Sequence, residues 1–214
     1  MGGVGENHCT YAEESVRLVT PLLKDNDPDV VAAAAMAIHR RGNWIQDSVQ
    51  EAAELLVGLT GHSSTDVRRA VASALATIQF RVLDTLELAR LYRALIGLSR
   101  DTERDVRIEA VTGLAFTEHE TEDILVALRE RTGDQDGEVR AVALLGLAHQ
   151  NDPQLVELLI NELSGNDDYV YDDTLDAARL AADSRLIPIL TALKDDGIDG
   201  MFMDEALKAC SASD

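Results

Sequence analysis

Asp66-Val67-Arg68-Arg69-Ala70-Val71-Ala72-Ser73-Ala74-Leu75 is the stretch that decides the fold, because its opening and its spacing recur along the chain. Asp29-Val30-Val31, Asp105-Val106-Arg107 and Glu138-Val139-Arg140 open the other copies. Four, five, seven and eight positions after each Val the residues are small or apolar. They are Val71, Ala72, Ala74 and Leu75 in this copy, and Ala34, Ala35, Ala37 and Ile38 in the one before. The third copy has Ala110, Val111, Gly113 and Leu114, and the fourth Ala143, Leu144, Gly146 and Leu147. These offsets share one helix face, so each copy is predicted to be an amphipathic helix. Weaker copies start at Val170 and Phe202, and successive anchors lie 31 to 39 residues apart. Such a period marks a repeat protein, whose units bury their apolar faces only by stacking.

A second amphipathic segment precedes each anchored helix: 15–25, 47–59, 83–99, 121–131, 153–164 and 184–194. Leu86, Leu88, Leu91, Leu95 and Leu98 show its helical spacing. The turns between partners are rich in capping residues: Asn26-Asp27-Pro28-Asp29, Ser63-Ser64-Thr65-Asp66, Asp134-Gln135-Asp136-Gly137 and Asn166-Asp167-Asp168. Their side chains can accept the orphan N–H groups of the next helix. Pro28 suits a first helical turn, whereas Pro21 and Pro188 fall inside the preceding segments and are expected to bend them. No strand-like alternation competes.

Composition agrees. Hydrophobic residues make up 46% of the 214, enough for a core, but aromatics are only 4%. The core must therefore be aliphatic and alanine-rich, which suits close helix packing. The net charge of −20 repels phosphate, which argues against nucleic-acid binding by charge neutralisation. No basic start leads into an apolar run and no stretch reaches membrane-spanning length, so neither a signal peptide nor a membrane partner is expected. Cys9 and Cys210 stand at opposite ends of the chain, so no disulfide framework is expected and the cytoplasm is the default location. Three Lys against 16 Arg, and 23 Asp against 16 Glu, is also what salt or genome adaptation can select.

The phrase Asp-x-x-Val-Arg-x-x-(Ala/Val)-small-x-(Ala/Gly)-Leu, with Asn151-Asp152-Pro153-Gln154-Leu155 and Asp183-Ser184-Arg185-Leu186-Ile187-Pro188, resembles HEAT repeats. The short bacterial subtype first noted in phycobilisome lyases is the nearest pattern, and the resemblance runs over about residues 11–210. It implies an all-α, right-handed α-solenoid of about six helix pairs. Residues 10–210 would form one domain, with flexible ends at 1–9 and 211–214. Val31 and Tyr171 stand where the Arg is expected in copies one and five, and the sixth copy is degenerate.

Candidate chemistry is sparse. HEAT-like dioxygen-using hydroxylases carry several His-Glu pairs, whereas only His119-Glu120 occurs here, so no metal centre is expected. Asp134-x-Asp136-Gly137-Glu138 hints at a calcium loop, but position 12 of such a loop is Leu145, and a helix cap is the expected role. HEAT-like DNA glycosylases need a basic groove that this chain lacks. No residue set singles out chromophore-lyase chemistry, and neither cysteine has basic neighbours to activate it. No enzyme activity and no cofactor are expected. Arg68, Arg107 and Arg140 are expected to pair with turn acids, namely Asp66, Asp105 and Asp136.

By resemblance the anchored helices line a concave face. Offsets two, six and nine from each anchor should then point outward. They are Ala32, Met36 and His39 in copy one, Arg69, Ser73 and Ala76 in copy two, and Ile108, Thr112 and Ala115 in copy three. Copy four gives Ala141, Leu145 and Ala148, copy five Asp172, Asp176 and Arg179, and copy six Asp204 and Lys208. The stripe turns from small and apolar to acidic, with Asp167, Asp168 and Asp173 adding to the acids. An apolar stripe beside an acidic patch suits a protein-binding groove for a basic partner. The expected function is a non-enzymatic interaction scaffold, in its narrowest form an inhibitor or immunity-type protein capping a basic target. An assembly adaptor or chaperone, and more remotely a phycobilin-lyase-like enzyme, are the alternatives. The expected partner-binding residues are Met36, His39, Arg69, Ser73, Ile108, Thr112, Leu145, Asp172, Asp173, Asp176 and Arg179.

Overall fold

A computed structural model describes residues 18–40, 46–81, 84–119, 121–165, 169–198 and 200–212. The described residues are helical, with turns between the helices and no strand. The anchored helices are α1 (Pro28–Arg40), α3 (Thr65–Ile78), α5 (Arg104–Ala115), α7 (Gly137–His149), α9 (Asp172–Ala181) and α11 (Met203–Ser211). Their partners are a 3₁₀ helix at Thr20–Lys24, then α2 (Gln46–Gly58), α4 (Thr85–Leu98), α6 (Glu122–Arg131), α8 (Leu155–Leu163) and α10 (Ile187–Asp195). The chain divides into two compact units, one closing at Glu118 and one beginning at His119.

In the first unit α1 stacks on α3 and α3 on α5, with α2 and α4 packed along one flank. In the second, α7 stacks on α9 and α9 on α11, and α6, α8 and α10 flank them. The repeat offsets are the core. In copies two to five the residues four, five, seven and eight after the anchor are all buried, Thr174, Leu175, Ala177 and Ala178 included. In the first copy Ala34, Ala35 and Ile38 are buried but Ala37 is half-buried, and Val31 is buried while the anchor Val30 is half-buried. Leu88, Leu91, Leu95 and Leu98 are buried as the spacing predicts, but Leu86, on the first turn of α4, is exposed.

Both prolines lie inside helical segments, as expected, each where the helix changes type. Pro21 sits at the second position of its 3₁₀ helix and Pro188 at the second position of α10, after a 3₁₀ turn at Ser184–Leu186. α-Helical Leu18 and Val19 precede the first, so Pro21 marks a change from α to 3₁₀ winding and Pro188 a change from 3₁₀ to α.

Gly113 shows how closely the anchored helices α3 and α5 approach. A Cβ there would lie 2.7 Å from Ala76 Cβ and 3.1 Å from Ala76 Cα. Gln79, which caps the end of α3, donates to Gly113 O at 2.8 Å and ties the two helix ends together.

Turn aspartates recur with one geometry. The carboxylates of Asp25, Asp101 and Asp134, each five residues before an anchor, accept the N–H two residues on. In the second copy His62 Nδ1 takes that part, accepting from Ser64 N. Asp136 caps α7 as predicted, through Glu138 N and Val139 N, whereas Ser64 makes no side-chain cap. Returning turns use the same device at Asp84, Asp152 and Asp183. The expected cap at Asn166-Asp167-Asp168 lies outside the described residues.

Candidate functional site

The outward stripe separates into residues that present a surface and residues that do not. Met36, His39, Ile108 and Thr112 are half-buried and Arg69 is exposed. Ser73 and Leu145, expected on the surface, are 3% and 4% exposed, and Ala115, Ala141 and Ala148 are buried with them. Ser73 spends its hydroxyl on Arg69 O, one turn back on its own helix. For Leu145 the reason is helix-wide. Between Arg140 and His149, α7 reads Ala-Val-Ala-Leu-Leu-Gly-Leu-Ala and is buried throughout, as a helix apolar on every side must be.

His39 Nδ1 lies 3.0 Å from Ser73 O and 2.8 Å from Thr77 Oγ1. A carbonyl only accepts, so a bond to Ser73 O places a proton on Nδ1.

Arg68, Arg107 and Arg140 are structural, and Arg68 finds its turn acid in the following repeat, not in its own. Arg68 pairs with Asp101, and Arg140 Nε bonds both oxygens of Glu162. All three also reach main-chain oxygens with Nη1: His62 and Ser63 for Arg68, Asp101 and Thr102 for Arg107, Asp134 and Gln135 for Arg140. Those carbonyls stand six and five residues before the arginine each time. Asp136 is spent on its cap, Asp105 bonds Arg104, and Asp66 stands 3.7 Å from Arg69.

Charge is divided unevenly. Residues 1–118 hold 12 Lys and Arg against 17 Asp and Glu, a net of −5. Residues 119–214 hold 7 against 22, a net of −15. Six of those seven cations have an ion pair within their own unit: Arg129 with Asp152 and Glu122, Arg131 with Asp134, Arg140 with Glu162, Arg179 with Asp176, Arg185 with Asp183 and Glu157, and Lys194 with Asp204. The acid excess of this unit is therefore left without internal counter-charge.

That excess is concentrated at the start of α9. Asp172, Asp173 and Asp176 are half-buried. Burial, and then the neighbouring Asp176 and Asp172 charges, push the Asp173 carboxyl above the usual carboxylate range. Arg179 is held by Asp176 at 2.7 Å and lies 5.8 Å over the Phe202 ring. Asp172 Oδ1 accepts from Met201 N at 2.9 Å. Tyr169 and Met201, which the repeat offsets did not reach, are the exposed apolar residues of this corner; their signal was a large side chain next to the anchor Val170 and next to Phe202. Asp167 and Asp168 lie outside the described residues.

Among the described residues no group of three or more His, Cys, Asp or Glu is placed to hold a metal ion, and no helix is long and apolar enough to cross a membrane. The Asp134-Asp136 pair is occupied with backbone N–H groups, as a cap and turn require.

Stacked helix pairs with this offset pattern define a helical-repeat protein. A family model of HEAT repeats matches residues 16–95 and 92–179, and the chain belongs to the HEAT-repeat family. Protein YibA of Escherichia coli strain K12 is 34% identical over 130 residues, covering 61% of this chain and 43% of YibA. The chain thus spans less than half the length of the curated relatives it matches. An engineered protein of known structure superimposes with a TM-score of 0.64 at 20% identity, over 92% of this chain and 97% of its own. A designed armadillo repeat protein, solved in complex with the peptide (KR)4, gives 0.51 at 19% identity, over 94% and 82%.

Proposed function

We propose that this protein is a non-enzymatic interaction scaffold that binds a basic protein partner on its inner helices, in the narrowest form as an inhibitor or immunity-type protein. The observation that carries the reading is the charge division. The second unit holds −15 of the −20, and six of its seven cations are already engaged. A preformed helical face binds with little ordering cost, and an uncompensated negative field speeds capture of a positive target. Met36, Ile108 and Thr112 in the first unit, and Asp172, Asp173 and Asp176 in the second, are the positions through which contact is expected. The (KR)4 peptide held by the designed armadillo protein supports the compatibility of such repeats with a basic chain.

Calorimetric titration against a panel of basic proteins, with acidic proteins of matched size as controls, tests the reading. Binding confined to the basic set and weakening steeply with added salt is the expected result. No binding at low salt, or binding indifferent to salt, rejects it.

A further inference from the structure

Two apolar side chains stand exposed beside the N-terminal end of α9, Tyr169 through its contact with Tyr171 and Met201 through its bond to Asp172. Tyr169 is 60% exposed and Met201 73% exposed. Both are braced. The Tyr169 ring meets Tyr171 edge to face, with centroids 5.0 Å apart. Tyr171 in turn closes over Gly137 so tightly that a Cβ on that glycine would lie 2.7 Å from the ring. Met201 is fixed through its N–H to Asp172, and Gly200 beside it packs against Leu175 of α9 with no room for a Cβ. A large thioether and an aromatic ring are thus kept in water by a scaffold that holds their backbones in place.

Charge complementarity says what covers them. Asp172 and Asp173 open α9 beside these residues, and among the described residues no cation is paired with either; Arg179, the cation on their helix, is taken by Asp176 and Phe202. A long cationic side chain satisfies both halves of such a surface. Its methylene stem lies along apolar atoms, and its head meets a carboxylate or the face of an aromatic ring.

We infer that the Tyr169–Met201 face docks a Lys/Arg-rich segment of a partner protein, with the stems along Tyr169 and Met201 and the charged heads at Asp172 and Asp173. This rests on the basic-partner reading above and narrows it to one face and one form of ligand. Cations stacked on a tyrosine and neutralised by a flanking carboxylate gain from both contacts, whereas a partner relying on long-range attraction alone would be indifferent to Tyr169.

Fluorescence anisotropy with a labelled peptide of alternating Lys and Arg tests the inference on the full chain, with a Gly-Ser peptide as control. Three double variants are compared, each verified as folded by its thermal melt: Y169A/M201A, D172N/D173N, and E122Q/D123N on the first turn of α6. The first two are expected to weaken binding roughly tenfold each, and the third, which removes as much charge, by less than about twofold. Wild-type affinity in Y169A/M201A, or equal loss in E122Q/D123N and D172N/D173N, overturns the inference while leaving basic-partner binding intact. A wild-type chain that binds basic proteins but not the peptide also overturns it. If it binds neither, the broader reading falls as well.

Discussion

Arg68 and Asp101, 33 residues apart, close on each other through two hydrogen bonds, Nε to Oδ2 at 2.7 Å and Nη2 to Oδ1 at 3.0 Å. The pair joins the first turn of α3 to the turn before α5, and Asp101 at the same time accepts the Glu103 N–H. Burial pushes the Asp101 carboxyl up, but the bonds from Arg68 and Glu103 outweigh it and leave the group below the usual carboxylate range. A carboxyl depressed in the folded state stabilises above its unfolded value, about 3.9, and loses that contribution as pH falls through the folded value. Asp101→Asn should therefore cost about 1–3 kcal/mol near neutrality. The gap between its melting temperature and that of the wild type should close as pH drops below about 4. A gap that persists unchanged at pH 2 would contradict this.

Two glycines should respond in opposite directions to alanine. At Gly113 the added methyl meets Ala76 backbone and side chain, neither of which can move aside, and overpacking of this kind costs about 1–3 kcal/mol. At Gly97, exposed on α4, nothing lies within 4 Å, and helix propensity alone should stabilise by up to about 1 kcal/mol. Chemical denaturation of the two variants reads both signs in one experiment.

Ala182, which ends α9, has φ 47° and ψ 41°, the left-handed conformation. Asn151 holds the equivalent position twelve residues after its anchor, with φ 51°. Asparagine tolerates that region and alanine does not, so Ala182→Gly should stabilise by about 1 kcal/mol. A loss of stability would mean that the alanine methyl contributes packing that outweighs the backbone strain.

Cys210 is buried, its Sγ 3.7 Å from Ala178 O, and desolvation raises its thiol above the ordinary range. In a Cys9→Ser background, the folded protein should resist thiol reagents at pH 8 and react stoichiometrically once unfolded. Rapid native labelling would require α11 to open readily.

The repeat was legible because a helix that stacks on both neighbours needs small residues at fixed offsets, and Ala74, Gly113 and Gly146 announce that need without tertiary knowledge. The arginine partners were less legible. Proximity in sequence pointed to Asp66 and Asp136, but a helix cap competes for Asp136, and Arg68 reaches the following turn because stacking brings it there. Leu145 illustrates a signal available and not weighed: the offsets marked it outward, while the unbroken apolar run around it marked α7 as buried on all sides. Tyr169 and Met201 escaped because they lie just before a helix and beside an anchor, where a periodicity defined by helix offsets assigns no direction.

The guanidinium groups of Arg68, Arg107 and Arg140 hold carbonyl oxygens, not side chains, at six and five residues upstream. Substitution at those two positions is therefore invisible to the clamp, since every amino acid supplies the same oxygen. Turn length is a different matter, because one inserted residue would carry the oxygens out of reach. In evolution the position five before each arginine (Ser63, Thr102, Gln135) should drift freely, the position six before should stay with side chains that hold the turn (His62, Asp101, Asp134), and the number of residues between should stay fixed, like a hinge whose pins can be recast but not respaced.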